Sequence, residues 1–61
     1  MPELKVLLVD DHPVVRAGLR AVLTEQGGLT VLAEASDGAA ALAQLERLET
    51  LGQHVDVVLM D

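Results

Sequence analysis

Residues 5–11 read KVLLVDD, and residues 57–61 read VVLMD. In each segment an unbroken apolar run ends in aspartate, which is typical of a strand covered on both faces of a parallel sheet. If the two runs are neighbouring parallel strands, Asp10, Asp11 and Asp61 meet at one edge of that sheet. Crowded carboxylates repel one another unless a cation, a proton or a charged ligand relieves the repulsion. The pattern therefore predicts a metal-dependent site.

The chain between these two runs alternates helical and extended patterns, as βαβ units of a parallel sheet do. A helix is predicted from Pro13 to the glycine pair at Gly27, because apolar residues recur there at helical spacing and glycine tolerates a left-handed stop. Residues 30–35 alternate in the manner of a partly exposed edge strand. A second helix should be capped within residues 36–37 and should end near Gly52.

The same spacing predicts which helical residues face solvent. Arg16 and Arg20 lie opposite the apolar stripe of the first helix and are expected to be solvated. Gly18 costs that helix about 1 kcal/mol relative to alanine, so close packing is its expected role. The expected buried stripe of the second helix is Ala41, Leu42, Leu45 and Leu48.

The third strand, residues 55–60, has the composition of an interior strand. A sheet ordered second, first, third nevertheless leaves it at an open edge, which natural chains usually protect. We therefore expect residues 1–61 to be the first half of a larger domain. In such doubly wound folds ligands gather at the carboxyl ends of the strands where the strand order reverses, here between the first and third strands.

Composition narrows the function classes. The 61 residues contain no cysteine and no Phe, Trp or Tyr, so disulfides, thiolate metal sites and aromatic stacking are excluded. A formal net charge of −6 opposes binding to a phosphate backbone, so we do not expect this chain to bind nucleic acid by itself. The apolar runs are too short for a signal peptide or a membrane span, and the expected location is cytoplasmic with no membrane partner.

Three motifs carry a family resemblance. VLLVDDHP at residues 6–13, EASDG at residues 34–38 and DVVLMD at residues 56–61 resemble the receiver domain of bacterial two-component response regulators. DDHPVVRAGL at residues 10–19 resembles the LuxR/NarL-like subfamily, whose receivers precede a DNA-binding domain. The resemblance implies an α/β fold, the βαβαβ first half of a flavodoxin-like doubly wound parallel sheet with strand order 2-1-3, and makes residues 1–61 a partial receiver domain.

The resemblance also implies a phosphoryl-acceptor signalling domain rather than an enzyme. Asp61 matches the phosphate-accepting aspartate, and Asp10, Asp11 and Asp61 match the carboxylates that hold Mg²⁺, with Asp11 a direct ligand and Asp10 acting partly through water. The implied phosphoryl donor is a sensor histidine kinase or a small acyl phosphate, and DNA would be bound only by an output domain absent here. Family groups that follow the acceptor are also absent, so we expect the 61 residues alone to accept phosphate poorly.

Other interpretations stay open at this point. Acidic residues between a strand and a helix also stabilise the helix N-terminus, so Asp10 and Asp11 have a purely structural alternative. His12 is interpreted as a solvated helix-entry residue and is left out of the site. A flavodoxin would need a phosphate-binding first loop, which adjacent acids oppose. The alternative function is a truncated non-catalytic fragment that oligomerises by strand addition, for example as a homodimer through its exposed third strand.

Overall fold

A computed structural model describes residues 3–60. Its elements in chain order are β1 (Leu4–Val9), α1 (Pro13–Gln26), β2 (Leu29–Ala35), α2 (Gly38–Thr50) and β3 (Val57–Met60). The three strands form one parallel sheet in the order β2-β1-β3. This confirms the predicted βαβαβ half of a flavodoxin-like sheet and its strand order.

β1 lies at the centre of the sheet because it is apolar on both faces and pairs with a strand on each side. Its last four residues are buried, and so is the aspartate that follows them. Leu7 and Val9 pack with Ala35 and Ala41 into a small core between the sheet and α2. On the other face, Leu8 is paired with Glu34 of β2 and with Leu59 of β3, so this is the face that carries a charged residue.

The pairing of β1 with β2 contains one irregularity. Val6 is opposite Val31 but Leu7 is opposite Ala33, so Leu32 has no partner on β1. An extra residue of this kind is a β-bulge, and it interrupts the strict alternation of faces predicted for this strand. After the bulge Ala33 and Ala35 share the face of Leu7, which is the α2 side.

Both helices begin and end where local residues require it. Pro13 opens α1, and Gly27, with φ of 74°, ends it. The Asp37 side chain accepts a hydrogen bond of 2.7 Å from the backbone N–H of Ala40 and so caps α2. After α2, Gly52 has φ of 76° and donates to the Glu49 carbonyl, while Gln53 donates to that of Leu48. These two bonds form a Schellman motif, which confirms the predicted stop.

Two packing predictions are wrong within residues 3–60. Leu42 is 64% exposed rather than part of the buried stripe of α2, although Ala41 and Leu48 are buried. A Cβ added to Gly18 would meet no atom within 4 Å, so close packing among these residues does not explain that glycine. Val58, Leu59 and Met60 of β3 are exposed despite their apolar character, as expected of a strand that the order β2-β1-β3 leaves at an open edge.

Candidate functional site

The candidate site begins where β1 ends. Asp10 follows Val9 directly, and its backbone N–H donates to the carbonyl of Ala35 in β2 at 3.0 Å. This bond continues the sheet one residue beyond the strand and draws Asp10 into the protein, where only 4% of its surface is exposed. Asp11 is the next residue, and its side chain is 74% exposed. One acid of the pair is therefore buried and the other faces solvent.

His12 holds the carboxylate of Asp10. The backbone N–H of His12 donates to Asp10 Oδ1 at 2.7 Å, and the ring Nδ1 lies 3.1 Å from the same oxygen. The backbone N–H of His12 has the largest effect on Asp10 and, with the His12 ring and the Arg16 charge, keeps the pKa of Asp10 below its ordinary value against the opposing effect of burial. Asp10 is consequently an anion at neutral pH.

His12 also contacts the second acid, since its Nδ1 lies 2.7 Å from Asp11 Oδ1. Its ring is 64% exposed, as expected of a solvated helix-entry residue, and its exclusion from the set of metal ligands stays a prediction. The sequence did indicate the contact between His12 and Asp10, because an aspartate side chain commonly accepts a hydrogen bond from the backbone N–H two residues later.

Asp10, Asp11 and His12 each offer a ligand atom, and these atoms lie within 4.8 Å of one another. Two carboxylates at the end of a strand suit Mg²⁺, which takes a few carboxylate oxygens and retains several waters. Asp11 is exposed enough to bind such an ion directly and Asp10 is buried, while the Oδ1 atoms of both carboxylates contact His12. This donor set fits Mg²⁺, and the division between a direct ligand and a water-mediated one stays a prediction.

Asp61, the third predicted site residue, lies outside the described residues. The residue before it, Met60, is paired in register with Val9, the residue before Asp10. A shallow pocket at this edge of the sheet joins the end of β3 to the acidic pair and to the start of α2; it is lined by Val9, Asp10, Asp11, Ser36, Asp37, Gly38 and Met60.

Arg16 was predicted to be solvated, and this prediction is wrong. Its side chain is 22% exposed, its Nη1 donates to the backbone carbonyl of Asp10 at 2.7 Å, and its Nε donates to Glu34 Oε1 at 3.1 Å. Arg20 is more exposed and reaches the other Glu34 oxygen at 3.4 Å. A partly buried charged residue within an otherwise uncharged strand needs a partner, so Glu34 was the signal that an arginine of α1 turns toward the sheet.

Comparison with known proteins agrees with this geometry. Residues 6–61 match the family model of the response regulator receiver domain. The chain is 44% identical over 64 residues to the nitrate/nitrite response regulator protein NarP of Escherichia coli (strain K12), covering 100% of the chain and 27% of that protein. It is 47% identical over 58 residues to the response regulator UvrY of Escherichia coli (strain K12), covering 95% of the chain and 24% of UvrY.

A third relative is the transcriptional regulatory protein LiaR of Bacillus subtilis (strain 168), which is 43% identical over 58 residues that cover 95% of the chain and 25% of LiaR. The chain thus spans about a quarter of the length of these curated relatives. The chain belongs to the response regulator receiver family. Its relatives are regulators of the LuxR/NarL-like kind, as residues 10–19 predicted. Neither described helix has the length and apolar character needed to cross a bilayer.

Proposed function

We propose that this chain is the phosphoryl-accepting part of a response regulator, with Asp61 as the acceptor and with Asp10, Asp11 and Asp61 as the Mg²⁺ ligands. The observation that carries the proposal is the acidic pair at the end of β1, one buried and one exposed, beside a strand whose Met60 is aligned with Val9. Residues 1–61 are on this proposal a partial receiver domain of a cytoplasmic protein.

The phosphoryl donor is a phosphohistidine of a sensor histidine kinase, or a small acyl phosphate. A carboxylate oxygen of Asp61 attacks phosphorus, a P–O bond forms, and the P–N bond to the donor histidine breaks. The electron pair of that bond returns to the imidazole nitrogen, which takes a proton from solvent. Catalysis of such transfers is mostly positioning and neutralisation of charge, and bound Mg²⁺ supplies the neutralising charge on the phosphoryl oxygens.

The residues of this chain keep the acids in place for that reaction. Asp10 is anionic because its pKa is lowered, and it is held by His12 and by the carbonyl of Ala35. Asp11 remains exposed and is therefore accessible to a hydrated cation. UvrY is a response regulator and LiaR a transcriptional regulatory protein, which supports an output that controls transcription through a DNA-binding domain outside these residues.

Labelling by acetyl phosphate tests the proposal. The protein expressed from its whole gene, rather than residues 1–61 alone, should gain one hydroxylamine-sensitive phosphoryl group by mass spectrometry in Mg²⁺ and none in EDTA. Asp61→Asn should abolish labelling, and Asp11→Asn should reduce it. Asp37→Asn is the matched control, since Asp37 lines the same pocket but acts as the cap of α2. Labelling that persists in Asp61→Asn, or that ignores EDTA, would refute the assignment.

A second candidate function, a homodimer through β3, is supported by the apolar and exposed side chains of that edge strand. Light scattering during size-exclusion chromatography should then give a molar mass that rises with concentration. Leu59→Lys should reverse this rise, because charge on an edge strand opposes edge pairing. A constant monomer mass would eliminate this candidate without affecting the receiver proposal.

A further inference from the structure

The Arg16 side chain connects α1, the β1–α1 loop and β2 around Asp10. From the start of α1 its guanidinium donates to the Asp10 carbonyl of the β1–α1 loop at 2.7 Å and to the Glu34 carboxylate of β2 at 3.1 Å. The Asp10 N–H is bonded to Ala35, the neighbour of Glu34. The last two residues of β2 therefore hold the backbone of Asp10 on both sides, Ala35 directly and Glu34 through Arg16.

The carbonyl that Arg16 holds belongs to the peptide group between Asp10 and Asp11. A peptide group is planar, so a hydrogen bond that fixes its oxygen also fixes the orientation of the Asp11 N and Cα atoms in the same plane. The Asp11 side chain is 74% exposed and its Oδ1 lies 2.7 Å from His12 Nδ1, so its direction depends on this backbone together with the His12 ring. We propose that Arg16, held by Glu34, is a positioning residue that aims the carboxylate of Asp11 at the cation. This inference rests on the proposed function, since it assumes that the acidic pair binds Mg²⁺.

Charge alone does not account for an arginine at this position. A positive group beside two carboxylates opposes the binding of a divalent cation, and Glu34 offsets that charge. A guanidinium, however, presents several donors in a rigid fork, so it can hold the Asp10 carbonyl and the Glu34 carboxylate together. A lysine in this place would offer one compact ammonium on a flexible stem.

The two effects of Arg16 have opposite signs, so a Mg²⁺ titration separates them. The affinity is read from the backbone amide NMR signals of the acidic pair in the protein expressed from its gene. Arg16→Met removes both charge and donors, and positioning predicts a Kd for Mg²⁺ about tenfold or more higher, the usual cost of losing a partner of a metal ligand. An effect of charge alone predicts a lower Kd. Arg20→Met is the matched control, because it removes the same charge and a Glu34 contact but nothing that touches Asp10.

Arg16→Lys covers the case in which Arg16→Met does not fold, and we expect it to keep the amide dispersion of the wild type while its Kd rises several-fold. The Mg²⁺ concentration needed for half-maximal labelling should rise in the same variant, with the rate at saturating Mg²⁺ close to that of the wild type. A Kd in Arg16→Lys equal to that of the wild type, or a loss in Arg20→Met as large as in Arg16→Met, overturns the inference. If the wild type binds Mg²⁺ but Asp61 is not labelled, the proposed function falls alone; if it binds no Mg²⁺, both fall.

Discussion

Asp56 is joined to Lys5 by two reciprocal bonds. The Lys5 N–H donates to Asp56 Oδ2 at 2.8 Å, and the Asp56 N–H donates to the Lys5 carbonyl at 2.8 Å. The pair lies one residue before the first partners of the two strands, Val6 and Val57. Because the register of β3 determines which residues arrive beside Asp10, Asp56 helps to align the two ends of the candidate site.

Loss of the Asp56 carboxylate should weaken the fold. We expect Asp56→Ala to lower the free energy of unfolding by about 1 kcal/mol, since it removes one hydrogen bond to a charged acceptor at a partly exposed position. Asp56→Asn retains an acceptor oxygen and should lose less. Urea unfolding followed by far-ultraviolet circular dichroism measures both variants. Equal midpoints for Asp56→Ala and the wild type would show that the backbone bond alone maintains the register.

Replacing Gly18 with alanine should stabilise the protein. It lies inside α1, and a Cβ there would meet no atom of residues 3–60 within 4 Å. Alanine loses less backbone entropy than glycine in a helix, so Gly18→Ala should raise the free energy of unfolding by about 0.5 to 1 kcal/mol. Thermal unfolding is a sufficient measurement.

Gly52 is the control for that variant, because the same substitution should have the opposite sign. Its φ of 76° lies in the left-handed region, where a Cβ costs about 1 kcal/mol or more. Gly52→Ala should therefore destabilise the protein although the space around it is also open. Destabilisation by Gly18→Ala would mean that a surface outside residues 3–60 packs against that face of α1.

The cap of α2 gives a third prediction. Asp37 accepts a 2.7 Å hydrogen bond from the Ala40 N–H, one of the unpaired donors in the first turn of the helix. Asp37→Ala should cost about 1 kcal/mol of stability, and Asp37→Ser should restore most of it because serine also caps helices well. Urea unfolding of the three proteins compares them. An alanine variant as stable as the wild type would show that the helix is fixed by the packing of Ala41 and Leu48 instead.

The elements of this fold were predictable because each has a local cause. The apolar composition of β1 places it at the centre, and Pro13, Asp37 and Gly52 mark helix ends by their own conformational or hydrogen-bonding preferences. The strand order followed from the family resemblance and from the interior character of β1. The position of Asp10 and Asp11 at the edge of the sheet was predictable because they directly follow this central strand. The role of Asp61 stays a prediction.

The wrong predictions concern the direction in which a side chain points, which the spacing of apolar residues alone does not determine. Arg16 was assigned to the solvated face, yet its long side chain reaches past the helix to Glu34 and to the Asp10 carbonyl. Leu42 lies next to the buried Ala41, and small rotations of α2 decide which of the two is covered. The bulge at Leu32 changes the facing of β2 midway, and nothing in an alternating pattern announces one extra residue.

The titration of Asp10 gives the fourth prediction. Its pKa in the folded protein should lie below 3.8, its ordinary value, with the His12 backbone N–H as the largest cause. His12→Ala keeps that N–H and removes the ring, so the pKa should rise toward 3.8 without reaching it. The carboxyl carbon signal of Asp10 in a ¹³C NMR titration measures both values. A wild-type value above 3.8 would mean that burial outweighs the hydrogen bonds.

The same shift predicts the sign of the pH dependence of stability. Because the folded-state pKa is lowered, the unfolded chain binds more protons at acidic pH, and stability falls as the pH falls. The contribution of Asp10 should be complete well above 3.8 and should be lost as the pH decreases through 3.8 and then through the folded-state value. In Asp10→Asn this contribution is absent, so the difference in unfolding free energy between wild type and variant should shrink between about pH 5 and the folded-state pKa. A difference that grows with acidification would require a raised pKa and would contradict the hydrogen-bonded geometry at His12.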